Sequence, residues 1–376
     1  MRVLHLLKTA VGATWALRQM RQLVELGVDV HVALPDGPLI PHYHAAGITT
    51  HLDQFDLPIR RPQSWPGLFA RLRALVATLQ PDLIHSHFVG TTLTMRLALG
   101  RSHPVPRLFQ VPGPLHLEHP FFRRAEIATA AAPDSWVGSC RWTCDRYLRS
   151  GIAPQRVFLS YYGIDTDSFV PAAPGALRAE LGLAPHQPIV GMVAYMYAPK
   201  RYLGQSRGLK GHEDLIDPLA LVRQQRPEVI GVFIGGAWNN ATAYEQQVRA
   251  YARDRLGDAA VFLGTRRDVA ALYADFDVVV HPSHSENVGG AAESLLLAVP
   301  TISTNVGGFP DVVIPGETGW LVPPRSPSHL AAALHDALAD PARAHALAAS
   351  GQRHVRHLFD VRRTAREISA IYATFA

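Results

Sequence analysis

Residues Pro282–Pro323 read PSHSENVGGAAESLLLAVPTISTNVGGFPDVVIPGETGWLVP and directly follow an apolar run that ends at His281. Two acids, Glu286 and Glu293, stand on either side of the pair Gly289-Gly290, and the apolar residues after this pair predict a helix. The first N–H groups of a helix have no partner within it, so they can bind an anion or a hydroxyl group. The stretch therefore predicts a strand, a ligand-binding turn and a helix in succession.

Short apolar runs alternate with helical periodicity along the rest of the chain as well. The first strand, Val3–Leu7, precedes an amphipathic helix, Thr14–Leu26, and Leu68–Leu79 is a second such helix. The remaining predicted strands are Val28–Leu34, Leu83–His85, Arg107–Val111, Trp136–Gly138, Val157–Ser160, Ile189–Val193, Val229–Ile234, Val261–Leu263, Val278–His281, Thr301–Thr304 and Trp320–Val322. Strands and helices in this order predict parallel βαβ units of the α/β class.

The composition of the chain changes between Asp165 and Pro188, where Pro, Ala and Gly dominate. This change predicts a boundary near Phe169, with an N-terminal Rossmann-like domain over 1–168 and a second over 169–355. Two doubly wound parallel-sheet domains in one chain should face a cleft, and ligands bind at the carboxyl ends of such strands. The cleft is therefore the expected site.

Composition excludes several classes of protein. With 376 residues, 48% of them hydrophobic and 18% charged, the chain is expected to fold rather than to be disordered. Its longer apolar runs, such as Leu295–Ile302, fall short of the ~20 residues that cross a bilayer. A net charge of +5 without a recognition motif does not indicate nucleic acid, but it suits a diphosphate or an acidic membrane face. Only two cysteines fit a reducing cytosol, so a cytoplasmic protein is expected, with contact at the inner membrane face left open.

The order of these features resembles glycosyltransferase family 4, the retaining enzymes of the GT-B fold, also described as glycosyl transferases group 1. The resemblance covers nearly the whole chain. It is carried by Pro282-Ser283, Glu286, Gly289, Glu293, Pro300, Gly307-Gly308 and Thr318-Gly319, and upstream by Tyr162-Gly163-Ile164-Asp165, Lys210-Gly211-His212 and His85-Ser86-His87.

The resemblance implies a metal-independent transferase that uses a nucleoside diphosphate sugar of the UDP or GDP type and needs no cofactor. Glu286 would hold hydroxyls of the donor sugar, Glu293 the ribose, and Lys210 the diphosphate. Gly12 would let the backbone of the first domain approach the phosphates. Backbone groups of the second domain would bind the sugar and phosphates, and these belong to Asn287, Val288, Gly289 and Gly290. The segment 356–376, helical over Val361–Phe375, would return to the N-terminal domain.

The sequence also departs from the family pattern. Six residues separate Glu286 from Glu293, where the family usually has seven, and Tyr195 stands at the position of a family arginine. The extra loop Ala198–Leu209 offers Lys200, Arg201 or Arg207 as the replacing cation, or it is a solvated surface flap. Pro112 takes the place of a family histidine near the reacting carbon. His116, four residues later, is either a catalytic substitute or a structural residue.

The sequence predicts no metal site, leaves the acceptor unspecified and allows alternative functions. The pairs His42/His44 and His85/His87 lack a third carboxylate at suitable spacing, so no metal site is predicted. The acceptor, a glycan, a lipid-linked group or a small molecule with a free hydroxyl, is not specified by the sequence, and the basic stretches Arg60-Arg61 and Phe69–Arg73 would suit a membrane carrying it. The alternatives are an inactive sugar-nucleotide-binding protein of the same fold, or an epimerase or phosphorylase.

Overall fold

The protein is described from a computed structural model, over residues 1–201 and 204–375. Tyr202 and Leu203, which belong to the predicted loop, and Ala376 at the C-terminus lie outside the described residues. The chain forms two compact units. The first comprises Met1–Asp165 together with Leu358–Ala376, and the second comprises Thr166–His357.

The first unit is built on a parallel sheet of seven strands. These are β1 (Arg2–Leu6), β2 (Asp29–Leu34), β3 (Thr49–Leu52), β4 (Leu83–Ser86), β5 (Arg107–Gln110), β6 (Asp134–Gly138) and β7 (Val157–Leu159). Their order in the sheet is β3-β2-β1-β4-β5-β6-β7, so the winding reverses between β1 and β4. The helices between them are α1 (Thr14–Glu25), α2 (Ile40–Ala45), α3 (Trp65–Leu79), α4 (Val89–Leu99), α5 (Leu115–Glu118), α6 (Pro120–Ala128) and α7 (Arg141–Arg149).

Both faces of this sheet are covered by helices, which is why its central strands β4, β5 and β6 are buried along their whole length. Successive residues of β1 enter different cores, because side chains alternate across a strand. Val3 packs with Met20 of α1 on one face, and Leu4 packs with Leu72 of α3 on the other. Each of these side chains is fully buried, which stabilises the fold by about 1.5–3 kcal/mol per side chain.

The second unit repeats this winding with six parallel strands. These are β8 (Ile189–Val193), β9 (Ile230–Ile234), β10 (Ala260–Gly264), β11 (Val278–His281), β12 (Thr301–Thr304) and β13 (Trp320–Val322). Their order is β10-β9-β8-β11-β12-β13, with the reversal between β8 and β11. The helices are α8 (Ala176–Leu181), α9 (His212–Arg223), α10 (Thr242–Leu256), α11 (Val269–Leu272), α12 (Gly289–Leu296), α13 (Pro327–Ala339) and α14 (Pro341–Phe359).

The last helix, α15 (Val361–Ala373), belongs to the first unit. Its side chains Ile368 and Tyr372 enter the core that contains Met20 of α1. Backbone bonds join its start to the end of the first unit's main segment: Ile164 N donates to Phe359 O at 2.7 Å. Gly163 is required here, because a Cβ at this position would lie 2.5 Å from Val361 Cα.

The predicted fold class, α/β with two Rossmann-like doubly wound parallel sheets, is confirmed. All six strands predicted for the second unit form, whereas β3 was not predicted. The units divide after Asp165 and before Leu358, close to the predicted bounds at 169 and 356. In the described ranges, no helix combines the length and apolarity that a membrane crossing needs.

Candidate functional site

A cavity of about 230 Å³ lies at the carboxyl ends of β8, β9 and β10 and beside the start of α12. It adjoins the reversal between β8 and β11, the place where ligands bind in open α/β sheets. The residues that line it are Val193, Ala194, Tyr195, Tyr197, Lys210, Ile234, Gly235, Thr265, Arg266, Val269, Gly290 and Glu293. Aromatic, charged and glycine residues therefore share one concave surface.

The start of α12 offers backbone donors to this cavity. Val288 is its N-cap residue and supplies no capping side chain. Ala292 N donates to Val288 O at 3.1 Å, so the N–H groups of Gly289, Gly290 and Ala291 precede the first bond within the helix. An anion placed there gains about 0.3–1 kcal/mol from the helix dipole.

Two glycines hold the surrounding loops close together. A Cβ on Gly290 would lie 2.8 Å from the ring of His281, which ends β11. A Cβ on Gly211, whose φ is +73°, would lie 2.1 Å from Pro282 O. The Lys-Gly and Gly-Gly pairs of the sequence thus permit the loop before α9 to touch the loop before α12.

Lys210 and Glu286 form an ion pair where these loops meet. Burial by itself would lower the pKa of the Lys210 ammonium, but the neighbouring Glu286 carboxylate outweighs burial and the pKa is raised. The ammonium also lies 5.9 Å from the centre of the Tyr197 ring. Lys210 is therefore a charged group on the wall of the cavity.

The second acid, Glu293, also lines the cavity, and its charge contributes to the raised pKa of Lys210. Asn287 N donates to Glu286 Oε1 at 3.1 Å, which fixes that carboxylate against the turn. Lys210, Gly290 and Glu293 therefore share the cavity wall. Glu286 lies next to this wall, where it pairs with Lys210.

Arg207, the loop cation predicted to bind the donor together with Lys210, has other partners. Its guanidinium donates to Asp214 at 3.0 Å and to Asp217 at 2.8 Å, both on α9. Burial opposes its charge, but these two carboxylates raise the pKa further. Asp214 also binds His284 at 2.7 Å. Arg207 is not among the described residues that line the cavity. Its two ion pairs instead connect the loop before α9 to that helix.

Two residues at or beside the cavity were missed by sequence reasoning, Arg266 and Trp238. The ring of Trp238 lies 5.0 Å from that of Tyr195 and 5.8 Å from that of Tyr197, and it follows β9 rather than any recognised motif. Arg266 also lines the cavity, while its guanidinium binds Glu180 and Asp268. Only the strand order brings these positions together, so no local pattern could have revealed them.

The two predicted residues of the first unit occupy different environments. Gly12 precedes α1 with φ +70°, and a Cβ there would meet no atom within 4 Å; its contact with phosphates stays a prediction. His116 is buried, and its Nε2 lies 2.9 Å from Tyr147 Oη and its Nδ1 3.2 Å from Gly113 O. Burial lowers its pKa to about 4, partly opposed by the Gly113 bond. Both ring nitrogens are thus engaged inside the core.

The reversal point of the first unit carries three buried histidines. No third carboxylate is predicted for the pair His85/His87; the third group that the parallel register places beside His85 is another histidine, His5. One nitrogen from each ring lies within 4.8 Å of the others. Burial lowers the pKa of all three, that of His5 to about 3.

These rings belong to a hydrogen-bonded chain. Tyr162 Oη donates to a backbone carbonyl at 3.1 Å, so it accepts from His87 Nδ1 at 2.8 Å. His87 Nε2 then accepts from His5 Nδ1 at 2.9 Å, and His85 Nδ1 bonds Tyr372 Oη at 2.7 Å. These bonds leave one proton on the His87 ring, and burial lowers the pKa of all three rings, so the cluster is neutral; it packs α15 against the sheet through Tyr372.

Comparison with known proteins agrees with this architecture. Residues 201–354 match the family Glycosyl transferases group 1, and residues 12–168 match Glycosyltransferase Family 4. A D-inositol 3-phosphate glycosyltransferase of Thermobispora bispora is 27% identical over 94% of this chain and 87% of its own length. Another, from Rhodococcus opacus, is 29% identical over 91% of this chain and 81% of its own.

Solved structures share the fold along the entire chain. The HepE protein of Anabaena, in complex with UDP, superposes with a TM-score of 0.81 at 21% identity, and both chains are covered completely. The sucrose-phosphate synthase of Thermosynechococcus elongatus superposes with a TM-score of 0.79 at 22% identity, covering 100% of this chain and 98% of its own. The two family matches together span most of the sequence, and the chain therefore belongs to glycosyltransferase family 4, the glycosyl transferases group 1 with the GT-B fold.

Proposed function

We propose that this glycosyltransferase takes its sugar from a nucleoside diphosphate sugar bound in the cavity of the second unit. One observation carries the proposal: an ammonium, the backbone N–H groups that precede the first hydrogen bond of a helix, and a carboxylate share one wall of that cavity. These groups are Lys210, the first turn of α12 and Glu293. A diphosphate needs the first two, and a ribose or sugar hydroxyl suits the third.

The proposed roles follow from this arrangement. Lys210 and the first turn of α12 bind the diphosphate, through the backbone of Val288, Gly289 and Gly290. Glu293 accepts hydrogen bonds from the ribose. Glu286, together with the backbone of Asn287, binds hydroxyls of the sugar. Because Glu286 already touches Lys210, the sugar and the diphosphate would meet adjacent partners.

We propose that transfer proceeds with retention and without a metal ion. As the bond to the sugar breaks, charge grows on the leaving diphosphate, and each well-placed donor can stabilise it by roughly 2.7–4 kcal/mol. The acceptor oxygen forms its bond to the anomeric carbon on the face from which the diphosphate leaves, and its proton passes to that diphosphate, so no side-chain base is required. His116 is left out of this scheme, because both of its ring nitrogens are bonded within the core.

We propose UDP rather than GDP as the nucleotide. The support is that HepE of Anabaena, which shares the fold, is known in complex with UDP and with UDP-glucose. Thermal melting of the purified chain with UDP, GDP and ADP tests this, because a ligand that binds only the folded state raises the melting temperature. UDP should raise it most; a larger rise with GDP would overturn the choice of base.

Transfer itself is tested with UDP-sugars and a panel of acceptors that includes an inositol phosphate, since the curated relatives are named for that acceptor. The product's anomeric configuration, read by NMR, should match that of the donor. The rate should be unchanged by EDTA. An inverted product or a rate abolished by EDTA would contradict the mechanism, and UDP binding without transfer to any acceptor would favour a binding protein.

A further inference from the structure

A groove of about 720 Å³ lies between α6 and α7 of the first unit. Four arginines line it, two from each helix: Arg123, Arg124, Arg146 and Arg149. The remaining lining residues are Ile127, Ala128 and Ser150, none of which carries a negative charge. The groove thus places four guanidinium groups around one concave surface.

The structure shows no carboxylate partner for the four guanidinium groups among the residues that it describes. In residues 1–201 and 204–375, no ion pair within 4.0 Å joins any of them to an acid. The acids of the two helices are otherwise placed. Glu126 of α6 is buried and binds Arg96, and Asp145 of α7 is exposed and does not line the groove. Like charges are therefore held together without compensation, which a folded protein tolerates best where an anion binds.

One of the four is already oriented and partly buried. The guanidinium of Arg146 lies 5.1 Å from the centre of the Trp142 ring, which limits its orientation. Its Nε is buried and has no hydrogen-bond acceptor among the described residues. Arg123 is also restrained, since its Nη1 donates to Leu117 O at 3.4 Å. A buried donor without an acceptor is uncommon and calls for a ligand or a water.

We propose that this groove binds a phosphate ester, with the guanidinium groups donating to the phosphate oxygens. Guanidinium and phosphate match as paired donors and acceptors, and four arginines suit two phosphate groups. The concave shape favours a discrete phosphorylated molecule over the flat surface of an anionic membrane. This site lies in the first unit and does not depend on the proposed donor cavity of the second.

The test uses the full chain and fructose 1,6-bisphosphate as the probe, with unphosphorylated fructose as the control ligand. Calorimetry should show saturable binding of the bisphosphate and none of fructose. Arg146→Gln and Arg149→Gln should each weaken binding about tenfold or more, as expected for the loss of one charge-assisted hydrogen bond. Arg149→Lys keeps the positive charge but cannot donate two parallel hydrogen bonds, so it should recover part of the lost affinity.

The matched control is Arg21→Gln, which removes an exposed helical arginine outside the groove and should change affinity less than twofold. Melting curves establish that each variant is folded. The proposal is overturned if the bisphosphate does not bind, or if Arg21→Gln weakens binding as much as the groove variants do. It is also overturned if a change at Lys210 weakens binding and a change at Arg149 does not, because the bisphosphate would then bind in the donor cavity.

A second arm separates a soluble phosphate ester from a lipid headgroup. Cosedimentation is measured with vesicles of phosphatidylglycerol and, for comparison, of phosphatidylcholine alone. The groove variants should bind the phosphatidylglycerol vesicles as well as the unaltered chain does. Vesicle binding that vanishes in Arg149→Gln, while the soluble bisphosphate fails to bind, would assign the groove to a membrane and overturn the proposal as stated.

Discussion

Replacing Lys210 with glutamine tests the donor site at its single most informative atom. The side chain lines the cavity and pairs with Glu286. A hydrogen bond to a charged group contributes about 1.5–3 kcal/mol, and every 1.4 kcal/mol changes a dissociation constant about tenfold. Lys210→Gln should therefore weaken UDP binding about 10- to 150-fold. The upper part of this range is expected, because the variant leaves the Glu286 carboxylate to repel the diphosphate.

The companion variant should act in the opposite direction. Glu286→Gln keeps the size of the side chain and removes its charge, so the Lys210 ammonium is free to serve the diphosphate alone. UDP should bind at least as tightly as in the unaltered chain, while transfer of the sugar slows. The double variant should then bind UDP better than Lys210→Gln does, since it no longer carries the Glu286 carboxylate that would repel the diphosphate.

Calorimetry with UDP and initial rates with a UDP-sugar measure these effects separately. Arg253→Gln is the control, because it removes an exposed positive charge of α10 outside the cavity. If Lys210→Gln binds UDP as tightly as Arg253→Gln does, the diphosphate does not meet this ammonium. If Glu286→Gln weakens UDP binding as strongly as Lys210→Gln, the assignment of Glu286 to the sugar is wrong.

Three further changes test the fold around the sites. Gly290→Ala should lower UDP affinity and destabilise the chain by about 1–3 kcal/mol, since its Cβ would lie 2.8 Å from the buried His281 ring; Gly289→Ala, with no atom nearer than 3.8 Å, should melt almost as the parent does. Arg96→Met should cost about 3–5 kcal/mol in urea unfolding, because it removes the cation bound to the buried Glu126 carboxylate, while Asp134 keeps Arg107 at 3.5 Å; a loss below 1 kcal/mol would contradict this. His5 has a pKa of about 3 when folded and about 6.5 when unfolded, so the free energy of unfolding should decrease as the pH falls from about 6.5 towards 3, by up to about 1.36 kcal/mol per pH unit. A melting temperature that does not change over this range would refute the buried neutral state.

The fold could be predicted wherever burial leaves a periodic pattern. Strands covered on both faces are continuous apolar runs, which is why Ile189–Val193 and Val278–His281 were found. The strand Thr49–Leu52 was not, because it lies at the edge of its sheet, is incompletely buried and reads Thr-Thr-His-Leu. Such a strand is defined by its pairing with β2, and pairing leaves no mark in the local sequence.

The candidate site was predictable only where a local motif constrains the backbone. Gly290 and Gly211 are glycines because other backbone or side-chain atoms occupy the space of a Cβ, and that constraint is visible as a motif. The partners of Arg207 were not predictable, since a basic loop does not show which carboxylates it will meet. Burial of His116 against Tyr147 was likewise hidden, because it depends on a helix distant in sequence.

The two units show how one winding pattern can support different chemistry. Each sheet reverses its order once, between β1 and β4 in the first unit and between β8 and β11 in the second. At the first reversal, burial keeps His5, His85 and His87 neutral and bonded to one another. At the second, the loops keep Lys210 charged at the surface of a cavity. A diphosphate needs a charged and accessible partner, which supports our proposal that it binds at the second reversal, and strand order alone does not distinguish the two.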